Sequence, residues 1–199
     1  MGGLIHPHKG IMPRIAADAF IADGALVIGD VDIAPRANVW FNCVIRGDEH
    51  AVIIGANTNI QDGTVIHVHG LKQGTHIGAD VTVGHMSLLH ACTLEDGAFC
   101  GMGAIVLDTA VIEGGAMLAA GAMLTPGKRV PGGELWAGRP ARFARVLTAE
   151  ERKSMPQTIE NYVSRAEQYL KEGIGGGKYQ GWAEVPFADG CGVERGGGL

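Results

Sequence analysis

The residues able to do chemistry gather between Val39 and Ala91. VIRGDE supplies Arg46, Asp48 and Glu49, NIQDG supplies Asn59, Gln61 and Asp62, VIHVH supplies His67, and VGHMSLLHA supplies His85 and His90. Imidazoles bind transition metals and carry protons near neutral pH, while carboxylates and amides orient and share protons. Arg46, Asp48, Glu49, Asn59 and Gln61 are the polar side chains of this stretch that such chemistry could use, and His67, His85 and His90 the candidate metal ligands. Such chemistry works only if the side chains are held at fixed separations, so it depends on the elements around them.

Those elements follow a six-residue beat. Counting from Ile15, aliphatic residues fall at Ile15, Ile21, Val27, Ile33, Val39 and Ile45. The beat resumes at Ile54, Ile60 and Ile66, then at Ile77, Val83 and Leu89, and again from Leu94 through Cys100, Val106, Ile112, Leu118, Leu124, Val130 and Trp136. Four residues after many beats stands a small side chain, as at Ala25, Cys43, Thr64, Ser87 and Ala104. A helix would place apolar residues three and four apart, which this pattern does not. Hexad periodicity predicts a parallel β-helix, three hexads to a triangular coil, with the beat residues filling its centre. The fold class is all-β, with an α-helix after the coils.

Three interruptions lie in the polar stretch. Three extra residues separate Ile45 from Ile54, around Glu49, His50 and Ala51; five separate Ile66 from Ile77, around Gly70 to Gly74; and one is missing between Leu89 and Leu94. Loops breaking a stiff scaffold are common places for function. Beyond the repeat, Thr148 and Glu151 form a capping box, followed by Met155, Ile159, Val163, Ala166 and Leu170 at helical spacing. This predicts a helix from about Ala149 to Lys171, kinked or delayed at Pro156. The chain thus divides into a β-helix over residues 1–147, a helix packed on it over 148–172, and a Gly-rich tail over 173–199. That tail is expected to be mobile, with Trp182 and Phe187 able to anchor it locally.

The beat also serves as a coordinate. Arg46, His67 and His90 each follow a beat residue by one, and those beats are three hexads apart once the insertions are removed. They stack on one edge in successive coils, with His67 and His90 roughly 5 Å apart at the backbone. Two such imidazoles can reach one metal at about 2.0–2.1 Å each. His85 follows Val83 by two and belongs to the preceding face, with Asp62 and near Gln61. A neighbouring subunit could present it to the other pair, and head-to-tail contacts of that kind close into rings. Three His with one open position is the ligand set of a catalytic zinc.

Composition narrows the classes. The 199 residues suffice for one domain with a sizeable core. A net charge of −5 argues against nucleic-acid binding, which needs clustered Lys and Arg. Neither a secretory signal nor an apolar stretch long enough to span a membrane is evident, so no membrane partner and a cytoplasmic location are expected. Cys43, Cys92, Cys100 and Cys191 contain no CxxC spacing and read as reduced, packed thiols. His6, His8 and His50 read as exposed, His69 and His76 as loop residues, and Met102, Met117 and Met123 as core or interface filler.

RGDE, NIQDG, a following His and then GHxxxxH together resemble the gamma-class carbonic anhydrases, more closely the short bacterial homologues without a large acidic insert. The likeness covers roughly Ile11 to Lys171. It implies a left-handed parallel β-helix of hexapeptide repeats, a homotrimer, and zinc shared between subunits, with Fe2+ or Co2+ as other metals. It implies that His67 and His90 bind metal from one subunit and His85 from another. It further implies an Arg46–Asp48 pair bridging subunits, Gln61 orienting a zinc-bound hydroxide, and Glu49 handling protons. The activity would be reversible hydration of carbon dioxide to bicarbonate. The short loop from His69 to His76 carries no acidic residue, so proton transfer is expected to be slow or to use Glu49, His69 or His76. The alternatives are a weak or inactive metal-binding assembly protein, and a hexapeptide-repeat acyltransferase. Gly138-Arg139-Pro140-Ala141 suits that last class equally, but those transferases usually carry one catalytic His on a long loop.

Overall fold

Backbone hydrogen bonds between successive coils, such as Gln61 N–H to Val83 O at 2.9 Å and Gly84 N–H to Cys100 O at 2.8 Å, build the scaffold. The computed structural model describes residues 3–175. Short parallel strands stack into a three-sided prism. One face is an eight-stranded sheet; the other two are counted as one twelve-stranded sheet. The two merge because strands Leu26–Ile33 and Val44–Ile54 run unbroken around the corner between them.

The beat residues form three columns in register. Val27, Ile45, Ile66, Leu89, Val106 and Leu124 make the first. Ile15, Ile33, Ile54, Ile77, Leu94, Ile112 and Val130 make the second. Ile21, Val39, Ile60, Val83, Cys100, Leu118 and Trp136 make the third, on the eight-stranded face. All but Trp136 are at most 2% exposed, so the columns meet in one continuous core. The small residues Ala25, Cys43, Thr64, Ser87 and Ala104 are buried beside them, where a larger side chain would crowd the turn. Each turn needs a residue in the left-handed region. Gly63 fills it at φ 71°, while Asn42 and Asn57, the next most tolerant type, fill it at 59° and 58°.

The three interruptions are absorbed differently. The first is not a separate loop: strand Val44–Ile54 continues through it, and the register jumps from Gly29 opposite Gly47 to Val31 opposite Val52. The extra residues bulge outward while the ladder re-forms beyond them. The second makes a tight corner closed by His69 N–H to Gln73 O at 3.1 Å. At the third, Ala91 takes φ 47° and bonds back to His67 O, closing the shortened turn.

After the last coil, strand Glu134–Ala137 pairs antiparallel with Arg142–Val146 and ends the stack. The helix spans Ala149–Lys171 and is continuous through Pro156, so the sequence expectation of a delayed start there does not hold. The Thr148–Glu151 capping box sets the start before Pro156 can interfere, and tertiary docking offsets the lost backbone bond. Met155, Ile159, Val163 and Ala166 face the eight-stranded sheet. Phe20, Trp40, Tyr162 and Tyr169 form the aromatic seam beneath it, with Trp40 5.4 Å from each tyrosine ring.

Glu151 gives this junction a pH dependence. Arg145 and the Thr148 cap hold its carboxyl down, from 4.5 to about 2. A depressed carboxyl stabilises the fold fully above its unfolded value, and that contribution is lost as pH falls through the folded one. The thermal midpoints of wild type and Glu151→Gln should therefore differ at pH 7, converge below pH 4.5 and coincide only below about 2, the folded value given by the Arg145 pairing. A gap that persists unchanged at pH 2 would refute this.

Candidate metal centre

The functional side chains divide between two edges of the prism. On the first, His67 and His90 occupy paired positions in adjacent coils, and their ring centroids stand 5.3 Å apart. Asp48 lies in the bulge of Val44–Ile54, one coil below. Its Oδ1 accepts from Nε2 of His67 at 2.9 Å, and its Oδ2 pairs with Arg46. Burial pushes the Asp48 carboxyl up, but the bonds from His67 and Arg46 outweigh it and hold it below the usual carboxylate range. Glu49 is exposed beside the corner, where its Oε2 accepts from Gly70 N–H at 3.3 Å.

A residue the motif reading passed over completes this edge. Asp108 lies one coil above His90. Its Oδ1 accepts from Nδ1 of His90 at 2.7 Å, and its Oδ2 from Nζ of Lys72 at 3.2 Å. The hydrogen bond from His90 is the main reason its carboxyl is held low. His69 approaches the same oxygen at 3.9 Å. The signal for Asp108 was available in the beat: it follows Val106, which pairs with Leu89.

The second edge carries His85, in the turn leaving strand Thr82–Val83. Asp62 Oδ2 holds its Nδ1 at 2.8 Å, as the shared coil position predicts. The Tyr162 hydroxyl, from the helix, lies 3.4 Å from its Nε2, a contact no hexad pattern could foretell. Gln61 is 5% exposed and accepts the His85 backbone N–H on its Oε1 at 3.3 Å. Its Nε2 donates to Asn59 Oδ1 at 2.9 Å, and Asn59 donates to Thr82. Both amides are thus fixed by protein contacts.

Among the described residues, no group of three or more His, Cys, Asp or Glu side chains of the single chain is close enough to hold one metal ion. His67 and His90 come together; His85 does not join them. Carboxylates accept only, so each bound imidazole must donate the proton on the nitrogen it offers. This leaves lone pairs on Nδ1 of His67 and on Nε2 of His90 and His85, the last facing the Tyr162 hydroxyl at 3.4 Å.

The remaining sequence candidates fall outside this arrangement. Cys43, Cys92 and Cys100 are free and buried, and burial raises all three thiols, Cys43 and Cys100 to about 12. Cys92 is thus packed rather than ligating. Met102 is 58% exposed, and Met117 and Met123 point outward, so none of the three fills the core. His6, His50 and His76 are exposed, and His8 is half-buried. Cys191, Trp182 and Phe187 lie outside the described residues. None of the helices among them is long and apolar enough to cross a membrane.

Stacked hexads with histidines on two edges define the class of hexapeptide-repeat β-helix proteins. No family model matches the chain. Solved structures do: a hexapeptide transferase family protein from Anaplasma phagocytophilum is 49% identical, with a TM-score of 0.81 over 84% of this chain and 98% of that one. A protein from Bacillus cereus titled a putative acetyltransferase is 41% identical, with a TM-score of 0.84 over 86% and 99%. Among curated proteins, carbonic anhydrase of Geobacillus kaustophilus is 43% identical over 83% of this chain and 91% of its own length. Gamma carbonic anhydrase 2, mitochondrial, of Arabidopsis thaliana is 45% identical over 80% of this chain, which spans 59% of that relative's length. The chain belongs to the gamma carbonic anhydrase family.

Proposed function

We propose that the protein is a zinc-dependent carbonic anhydrase, working in the cytoplasm as a homotrimer with metal sites shared between subunits. The observation that carries this reading is the pairing of His67 and His90 one coil apart, with ring centroids 5.3 Å apart. The donor chemistry fits the metal. Each of the three imidazoles has one nitrogen held by a carboxylate, which is the usual support for a ligating histidine. His67 and His90 would hold the ion from one subunit and His85 from the next. Fe2+ and Co2+ accept the same donor set. A bound zinc lowers the pKa of water in its open position to about 7, and so supplies the nucleophile that carbon dioxide needs.

The chain's own residues do the rest. Gln61, pinned by Asn59 and by the His85 N–H, keeps one amide hydrogen and one lone pair to orient the reacting oxygen. Asp48 holds His67 and is itself held by Arg46 of the same chain, a pair that would face the neighbouring subunit. Glu49, exposed at the bulge, receives the proton and passes it to solvent. The corner from His69 to His76 has no carboxylate to help, so turnover is limited by this step. Buried free thiols support a reducing compartment.

The transferase titles of two similar structures favour a second reading, an acyltransferase. Metal analysis and stopped-flow hydration decide between them. The purified protein should carry one zinc per chain and hydrate carbon dioxide, and His90→Ala should lose both. A metal-free wild type would sink the reading. A wild type that holds zinc yet is no faster than His90→Ala would leave a structural metal in an assembly protein.

A further inference from the structure

We infer that Asp108 is a positioning residue for His90, acting together with Lys72; this rests on the proposed metal site. The Asp108 side chain is only 17% exposed and spans two donors. One oxygen takes His90 Nδ1 at 2.7 Å and the other takes Lys72 Nζ at 3.2 Å. The first contact fixes the imidazole proton on Nδ1 and leaves the Nε2 lone pair as the metal donor. The second fixes the carboxylate, because Lys72 sits on the corner closed by the His69–Gln73 bridge. The parallel ladder sets only the backbone distance between His67 and His90. Asp108 sets which nitrogen of His90 is available.

Lys72 makes the inference sharp. In Asp108→Asn the volume is unchanged, but the two side-chain atoms are no longer equivalent. An ammonium only donates, so the amide oxygen turns to Lys72 and the NH2 turns to His90. A donor facing Nδ1 demands a lone pair there, which moves the imidazole proton to Nε2. The nitrogen meant for the metal is then blocked. Adding Lys72→Met removes the bias, lets the amide flip, and returns the proton to Nδ1 in part of the molecules. A merely structural Asp108 would lower stability without inverting the tautomer.

The test is nitrogen-15 NMR of the imidazoles in metal-free protein at a pH where His90 is neutral, with zinc affinity measured by chelator competition. Wild type should show His90 protonated on Nδ1, Asp108→Asn on Nε2, and the double variant a mixture. Zinc binding by Asp108→Asn should weaken roughly 10- to 100-fold, the usual effect of losing such a partner. An unchanged tautomer in Asp108→Asn, or zinc affinity within about twofold of a zinc-binding wild type, overturns the inference. If wild type binds no zinc, the metal reading fails separately. The tautomer then decides alone: inversion sustains Asp108's control of His90, and no inversion ends it.

Discussion

Mixing inactive His85→Ala and His90→Ala proteins, after dissociation and reassembly, restores carbon dioxide hydration to about a quarter of the wild-type level. The reasoning is geometric. His85→Ala keeps the edge bearing His67 and His90, and His90→Ala keeps the edge bearing His85 and Gln61. Within one described chain these edges do not meet in a metal-sized cluster. On the proposed shared site, neither variant alone could complete a centre, but one would form wherever the intact edge of one chain faces the intact edge of the other. Random assembly gives that juxtaposition at about one contact in four. The measurement is stopped-flow hydration before and after mixing, with zinc content alongside. Failure to recover activity, in mixtures shown by mass spectrometry to contain both chains, would refute the shared site.

Ile66→Ala lowers unfolding stability by about 2–5 kcal/mol, a large part of the 5–15 kcal/mol typical of a domain. Ile66 is 0% exposed and stands between Ile45 and Leu89 in the first column. It also immediately precedes His67. Its loss opens a cavity that the stacked coils cannot close, because neighbouring rungs fix the wall on both sides. Urea unfolding of the metal-free protein reads the effect directly. A shift under 1 kcal/mol would mean that the coil collapses onto the gap, contrary to the stiffness argued from the ladder.

The repeat made most of the scaffold legible. A beat of aliphatics every six residues located the three columns, because each column needs one side chain per face per coil. It also located the His67–His90 pairing, since coil register follows directly from counting. The Thr148–Glu151 box and apolar spacing located the helix, although Pro156 was weighted too heavily: docking of Met155, Ile159 and Val163 outweighs one missing hydrogen bond. Asp108 was missed because it belongs to no contiguous motif; its meaning comes from lying one coil above a histidine. Tyr162 was missed because the beat gives no rule for how a helix lies across a face. The bulge at Glu49 looked like a loop because a hexad count sees only extra residues, and not that the strand bends around them.

The corner at His69 to Gln73 follows strand Val65–His67, which pairs directly with the His90 strand Leu88–His90, and its closing bond is internal to itself. The ladder between those strands forms without it. Length can therefore be added at the exposed tip beside Leu71 at little cost in closure entropy, provided Lys72 keeps its bond to Asp108 and Gln73 its bond to Ala91 O. The molecule has, in effect, one adjustable corner on a rigid frame: grafts at its tip would change the surface beside His67 and His90 while the ladder between them stays as it is.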